Sequence, residues 1–163
     1  MDDKKPDLSP LVMRGRTMVS QGRTDDAIGI YSDVIKIDPN HAMAHADRGT
    51  AYAMTSKLDL ARADLEKSFA LGYKEPSAFS TAGTVCLQLK DYTKSLEYFS
   101  KALKLDPKYA FAYYNRSKAL HEIGDNKAAV ADLETCLQLK PDDAFKKLVN
   151  DRLNVLRPLV REA

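Results

Sequence analysis

Along the chain, apolar residues fall at i, i+3, i+4 and i+7 in short stretches, and each stretch ends in a breaker. Residues 24–37 show it most plainly. Ala27, Ile28, Tyr31, Val34 and Ile35 share one side of a helix. Asp38-Pro39-Asn40 stops it, because Pro39 has no N–H with which to continue the ladder. Before it, 8–21 carries Leu11, Met18 and Val19 on one side and meets Gly22, a candidate left-handed cap. The same alternation of helix and turn predicts helices over 42–55, 58–71, 76–89, 92–105, 110–123 and 126–139. Gly124 marks a second turn inside a helix pair. Asn40, Asp91 and Asp125 stand just before helices, where a side-chain oxygen can accept from free N–H groups. Further on, Phe145, Leu148, Val149, Leu153 and Leu156 form the stripe of a ninth helix, which Pro158 is expected to limit to about 143–157.

A fixed period underlies these elements. Gly15, Gly49 and Gly83 stand 34 apart, with Ser117 in the fourth place. Ala27, Ala61, Ser95 and Ala129 keep that spacing, as do the large residues Tyr31, Leu65, Phe99 and Leu133. Pro39, Pro107 and Pro141 fit it too, with Tyr73 in the missing slot. Small columns have a physical reason. Helices joined by a three- or four-residue turn pack antiparallel, and overpacking between them costs about 1–3 kcal/mol. A mid-helix glycine costs roughly 1 kcal/mol against alanine, which close approach offsets. Gly15, Gly49 and Gly83 are therefore expected to meet Ala27, Ala61 and Ser95 where the helices cross. The large column is expected to fill the joint with the following repeat.

These columns resemble the tetratricopeptide repeat family, whose pattern has a large residue at position 4, small ones at 8 and 20, a large one at 24 and proline at 32. The third repeat, with Phe79, Gly83, Ala102 and Pro107, matches best. Leu11 and His45 depart from the aromatic at position 4, Ser117 from glycine, and Tyr73 from proline. The resemblance implies an N-terminal extension at 1–7, four repeats at 8–41, 42–75, 76–109 and 110–143, and a C-terminal capping helix and tail at 144–163. It further implies an all-α, right-handed superhelical solenoid of antiparallel helix pairs. Its function would be that of a protein–protein interaction scaffold, binding an extended peptide or a partner helix in a concave groove.

In the family, positions 2, 5, 6, 9, 12 and 13 of the first helices line that groove. Carried over, they give Arg16, Met43, Asp47, Thr50, Ser80, Thr81, Thr84, Phe111, Tyr114, Asn115 and Lys118 as candidate peptide-binding residues. The short Thr50, Ser80, Thr81 and Thr84 leave room for a ligand chain. Phe111 and Tyr114 offer an aromatic wall, or else pack on the C-terminal helix. Asn115 carries both a donor and an acceptor, and Lys118 suits a carboxylate. Some members grip a chaperone's terminal carboxylate with a five-residue clamp. The three registers here give Val12, Arg16, Asp47, Ser77, Thr81; Ala46, Thr50, Thr81, Phe111, Asn115; and Ser80, Thr84, Asn115, Phe145, Val149. None makes the clamp, so a carboxylate-clamp chaperone partner is not expected.

Composition narrows the function without naming a partner. The chain has 163 residues, and its 25 Lys and Arg nearly balance 23 Asp and Glu. That balance argues against a dedicated nucleic-acid or membrane-surface partner. Such an adaptor stays as an alternative through Lys101, Lys104 and Lys108, expected on a solvated outer face. No apolar run approaches a membrane span and the N-terminus has no apolar signal region, so a cytoplasmic location is the default. Cys86 and Cys136 read as reduced, half-buried fillers. His41, His45 and His121 make no metal-ligand constellation. His45 falls in a packing column, and His41 lies at an inter-repeat turn without the glutamate of a zinc-protease motif. No phosphate loop, nucleophile or carboxylate dyad stands out, so no enzyme, cofactor or metal is expected. A further alternative is self-assembly: Leu148, Val149 and Leu156 would form a free apolar face and the chain a homodimer.

Overall fold

The computed structural model describes residues 6–161. Among these the secondary structure is all helical. In chain order the elements are α1 (Ser9–Ser20), α2 (Thr24–Ile37), α3 (Ala42–Met54), α4 (Leu58–Ala70), α5 (Pro76–Gln88), α6 (Tyr92–Leu105), α7 (Ala110–Glu122), α8 (Asn126–Gln138) and α9 (Asp143–Arg161). Helices α1 and α2, α3 and α4, α5 and α6, and α7 and α8 pack as antiparallel pairs, and α9 packs on α8. The helices divide into two compact units with a boundary between Lys74 and Glu75. The first holds α1–α4 and the second α5–α9. Most of the proposed 1–7 extension and the last two residues of the tail lie outside the described residues.

In the first unit, Val12, Ala27, Tyr31, Val34 and Ala44 are buried in one cluster. Gly22 adopts φ 77°, as a left-handed cap requires, and Gly124 in the second unit adopts 84°. The same turn position is filled by Ser56 at φ 58° and Lys90 at 60°, without a glycine. One cap differs from expectation. Helix α3 is capped by His41, whose Nδ1 accepts from the Ala44 N–H at 3.2 Å, and not by Asn40. The N–H of Asn40 is instead turned toward the Asp38 carboxylate. Asp91 and Asp125 cap α6 and α8 as read, accepting from Lys94 and Ala128.

The glycine column works against a different neighbour than the sequence suggested. A Cβ on Gly83 would stand 2.7 Å from the Phe99 ring, and one on Gly49 would stand 2.9 Å from Leu65. A Cβ on Gly15 would strike Tyr31. The large column thus lies over the glycine of its own hairpin. The small column still crosses nearby: Ser95 Oγ donates to the Gly83 carbonyl at 2.8 Å. An aromatic ring excludes a side chain at Gly15 and Gly83, and the Leu65 side chain together with the α4 backbone excludes one at Gly49.

In the second unit α9 runs through Pro158 to Arg161, longer than expected. Pro158 removes only the bond to the Asn154 carbonyl. Asn154 is exposed, so water can serve that oxygen, and the loss falls in the last turn. Phe145, Val149, Leu153 and Leu156 are buried with Ala129, Leu133 and Cys136. Leu148 is not part of this seam; it is 53% exposed. It sits one position round the helix from Val149, beyond the width of the contact. Val149 and Leu156 are therefore already covered within the unit and leave no free face with Leu148. Both cysteines are free and fully buried, deeper than the half-buried state expected.

Candidate peptide-binding faces

In the first unit, two of the candidates are spent on one another. Arg16 from α1 donates to Asp47 of α3 through Nε (2.7 Å) and Nη2 (3.2 Å). The forked pair fixes the spacing of the two first helices and raises Arg16's basicity, through the Asp47 hydrogen bond first. Beside it lies a cavity of about 170 Å³ lined by Val19, Tyr31, Thr50 and Met54. Thr50 donates its hydroxyl back to Ala46 at 2.9 Å, so it shows a methyl-bearing surface more than a free donor. Met13, Met43 and Met54 are exposed large apolar residues of α1 and α3. Burial pushes the Tyr31 phenol up to about 12.

In the second unit the threonines behave alike. Thr81 donates to the Ser77 carbonyl at 3.0 Å and Thr84 to the Ser80 carbonyl at 3.1 Å. Ser80 is buried, so it does not line an open surface. Phe111 and Tyr114 meet the capping helix. Phe111 stacks on Phe145 with centroids 4.6 Å apart, and Tyr114 meets the same ring edge-on at 5.4 Å. Phe111 remains 55% exposed, so only one face of its ring is taken. Lys118 Nζ lies 4.4 Å from the Tyr114 ring centroid and donates to Asn115 Oδ1 at 3.1 Å. Tyr114, Asn115 and Lys118 thus do form one cluster, as their spacing on α7 suggests, but Asn115's acceptor is already engaged. A second cavity, of about 370 Å³, opens beside Lys118, with Lys90, Tyr92, Glu122 and Arg152 on its walls.

Models of one repeat family match most of the chain: residues 12–76 and 112–143 match tetratricopeptide repeat models, and 83–124 matches a TPR repeat model. The chain belongs to the tetratricopeptide repeat family. A solved structure of MamA is 22% identical to this tetratricopeptide repeat chain, with TM-score 0.75, over 90% of this chain and 88% of that one. PilF of Pseudomonas aeruginosa is 19% identical, with TM-score 0.81, over 95% of this chain and 69% of its own. The first repeat domain of RPAP3, solved with the HSP90 peptide SRMEEVD, is 23% identical, with TM-score 0.69, over 76% and 97%. At such identities the likeness speaks for the fold. Tetratricopeptide repeats form a non-catalytic scaffold that mediates protein–protein contact, and this chain is one. No described helix is long and apolar enough to cross a membrane.

Several polar residues of these repeats escaped the sequence reading. Arg48 forks onto Asp64, through Nε at 2.6 Å and Nη2 at 2.9 Å, and its Nη1 donates to Ser32 at 3.1 Å. Arg116 does the same with Asp132 at 2.8 and 2.7 Å, and its Nη1 approaches Ser100 at 3.4 Å. Each arginine ties both helices of one hairpin to the second helix of the hairpin before. His45 joins the first set, with Nδ1 3.0 Å from Asp64 and Nε2 3.0 Å from the Pro39 carbonyl. That confirms His45 as a packed residue, held by hydrogen bonds as well as by contact. The signal was present as a doubled period: Ser32, Arg48 and Asp64 recur at Ser100, Arg116 and Asp132.

Proposed function

We propose that this chain binds an extended peptide along the exposed faces of its first helices. The observation that carries the reading is the α1–α3 face of the first unit. There a cavity lined by Tyr31, Thr50 and Met54 is edged by the Arg16–Asp47 pair, and Met13 and Met43 add exposed apolar surface on the same two helices. Unbranched, polarisable methionines suit apolar side chains of varied shape, and the pair offers a polar edge to a peptide backbone. In the second unit the corresponding face holds Thr81, Thr84, Tyr114, Asn115 and Lys118. The RPAP3 domain of the same fold, solved with an HSP90 peptide, supports this reading; the five-residue clamp is not expected to act here.

Peptides selected on the immobilised full chain from a random display library test this reading. Thr50→Arg fills the cavity from an accessible position and should lower their affinity at least about tenfold, or ~1.4 kcal/mol. Selected peptides that bind the variant as well as the parent would move the site off α1 and α3.

A self-associating module is a second reading, supported by Leu148, Val155 and Leu159, which stay exposed on α9. Sedimentation equilibrium at about 100 µM decides it, since a dimer at that scale requires only about 5–6 kcal/mol.

A further inference from the structure

Four arginines in the two units are held in the helix packing, and one of them lacks what the others have. Arg16, Arg48 and Arg116 each fork onto an aspartate that raises their basicity. Arg152, on α9, forms no ion pair among the described residues. Its Nε is the one buried side-chain nitrogen or oxygen among them with no hydrogen-bond partner. A buried donor left unpaired is costly, and a charged one more so. Arg152 also faces a second cation. Lys118, on α7, forms no ion pair either; its hydrogen bond goes to the neutral Asn115 amide. Burial and then the charge of Arg152 hold Lys118's basicity down. Burial lowers that of Arg152 as well.

The two cations share the cavity of about 370 Å³, and Lys90 adds a third at its wall. The one acid there is Glu122. Its Oε2 accepts from the Tyr92 hydroxyl at 3.2 Å, and it makes no ion pair with Arg152. Three cations against one carboxylate leave the cavity positive. Leu87 and the Tyr92 ring supply apolar wall, and Gln88 an amide that can pair with a peptide unit.

We infer that this cavity binds the carboxylate of an acidic residue in an extended peptide, seated between Lys118 and Arg152. Two half-buried cations without an ion-pair partner are what an incoming carboxylate satisfies, and part of their desolvation is already made by the fold. Glu122 at the rim favours a singly charged carboxylate over a phosphate dianion. The inference rests on the peptide-binding reading and gives it a sequence preference in the second unit. Neither cation is among the residues that the three clamp registers name.

The test is nuclear magnetic resonance on the full chain, following the Arg152 Nε–H signal at neutral pH and low salt. The probes are N-acetyl-Ala-Glu-Ala-amide, its glutamine counterpart and inorganic phosphate. The glutamate peptide should move the signal saturably, and the other two should not at equal concentration. Arg152→Gln and Lys118→Gln should each weaken the glutamate peptide about tenfold, the latter read at Arg152 Nε–H and the former by calorimetry. Melting distinguishes a merely structural arginine: Arg152→Gln should leave the midpoint unchanged or higher, whereas Arg116→Gln should lower it. Equal shifts from the glutamine peptide, an equal response to phosphate, or silence with all three probes would overturn the inference. So would a lower midpoint for Arg152→Gln with peptide affinity unchanged. Display-selected peptides separate the two readings. If Thr50→Arg weakens them and Arg152→Gln does not, the peptide face stands and the carboxylate site falls. If the glutamate peptide seats at Arg152 while Thr50→Arg changes nothing, the reverse holds.

Discussion

At Gly83 a hydrogen atom stands where any other residue would push a carbon to within 2.7 Å of the Phe99 ring. Phe99 is fully buried and has no room to retreat. Gly83→Ala should therefore destabilise the chain, because overpacking of about 1–3 kcal/mol outweighs the roughly 1 kcal/mol that alanine gains in helix propensity. Urea melts of the two proteins measure it, and a stabilised variant would contradict the packing. The turn positions give the opposite expectation. Ser56 occupies φ 58° where Gly22 and Gly124 serve in sister turns. A left-handed conformation costs a residue with a Cβ roughly 1–2 kcal/mol, of which the entropy of glycine returns part. Ser56→Gly should stabilise by about 0.5–1 kcal/mol, seen as a higher urea midpoint at unchanged slope. The glycine turns were legible because glycine advertises the conformation. Ser56 and Lys90 were not, since neither residue type signals a positive φ by itself.

The helix α9 shows how far an apolar stripe can be read and where it misleads. Its stripe named the buried Phe145, Val149, Leu153 and Leu156 correctly, because spacing alone puts them on one side. Leu148 was included on its hydrophobicity, yet the width of the contact with α8 decides its fate, and no single helix carries that information. Asp142 was passed over, although its side chain accepts from the Phe145 N–H at 2.8 Å and so starts the helix. Leu153→Ala should cost about 2–5 kcal/mol, as expected for a fully buried leucine, while Leu148→Ala should stay within about 0.5 kcal/mol of the parent. Equal costs for the two in thermal melts would place the seam elsewhere. The candidate site divided in the same way. Membership of the first-helix faces followed from the repeat register. The engagement of Arg16 with Asp47 depends on a partner helix and could not be read from one stretch of sequence, whereas packing of Phe111 and Tyr114 on the C-terminal helix was one of the two outcomes their positions left open.

For the molecule as a whole, the 34-residue period was legible in its apolar and small columns, whereas the polar set Ser, Arg and Asp repeats only every second repeat and so hid from a single-period search. Each unit also carries a buried titratable group whose raised proton affinity reports on the unit's own integrity. Tyr31 sits in the first and Cys136 in the second, and both are essentially inaccessible. Burial is the main reason that each holds its proton to about 12. The unfolded chain releases those protons near 10 for the phenol and 9 for the thiol. Between those values and about 12 the unfolded state binds fewer protons than the folded one. Stability must therefore fall as pH rises through this window, by at most about 1.4 kcal/mol per pH unit for each group. Cys136→Ala should flatten the decline that begins near pH 9, and Tyr31→Phe the part that begins near pH 10. Urea midpoints at pH 8, 9, 10 and 11 for the parent and both variants give the slopes. Difference absorbance between parent and Tyr31→Phe should show no phenolate from Tyr31 in the folded chain at pH 10.5. A thiol reagent should leave Cys136 unmodified there until urea opens the second unit. Ionisation of Tyr31 with an ordinary midpoint near 10, or prompt labelling of Cys136 in the folded chain, would mean that water reaches the interior of the corresponding unit.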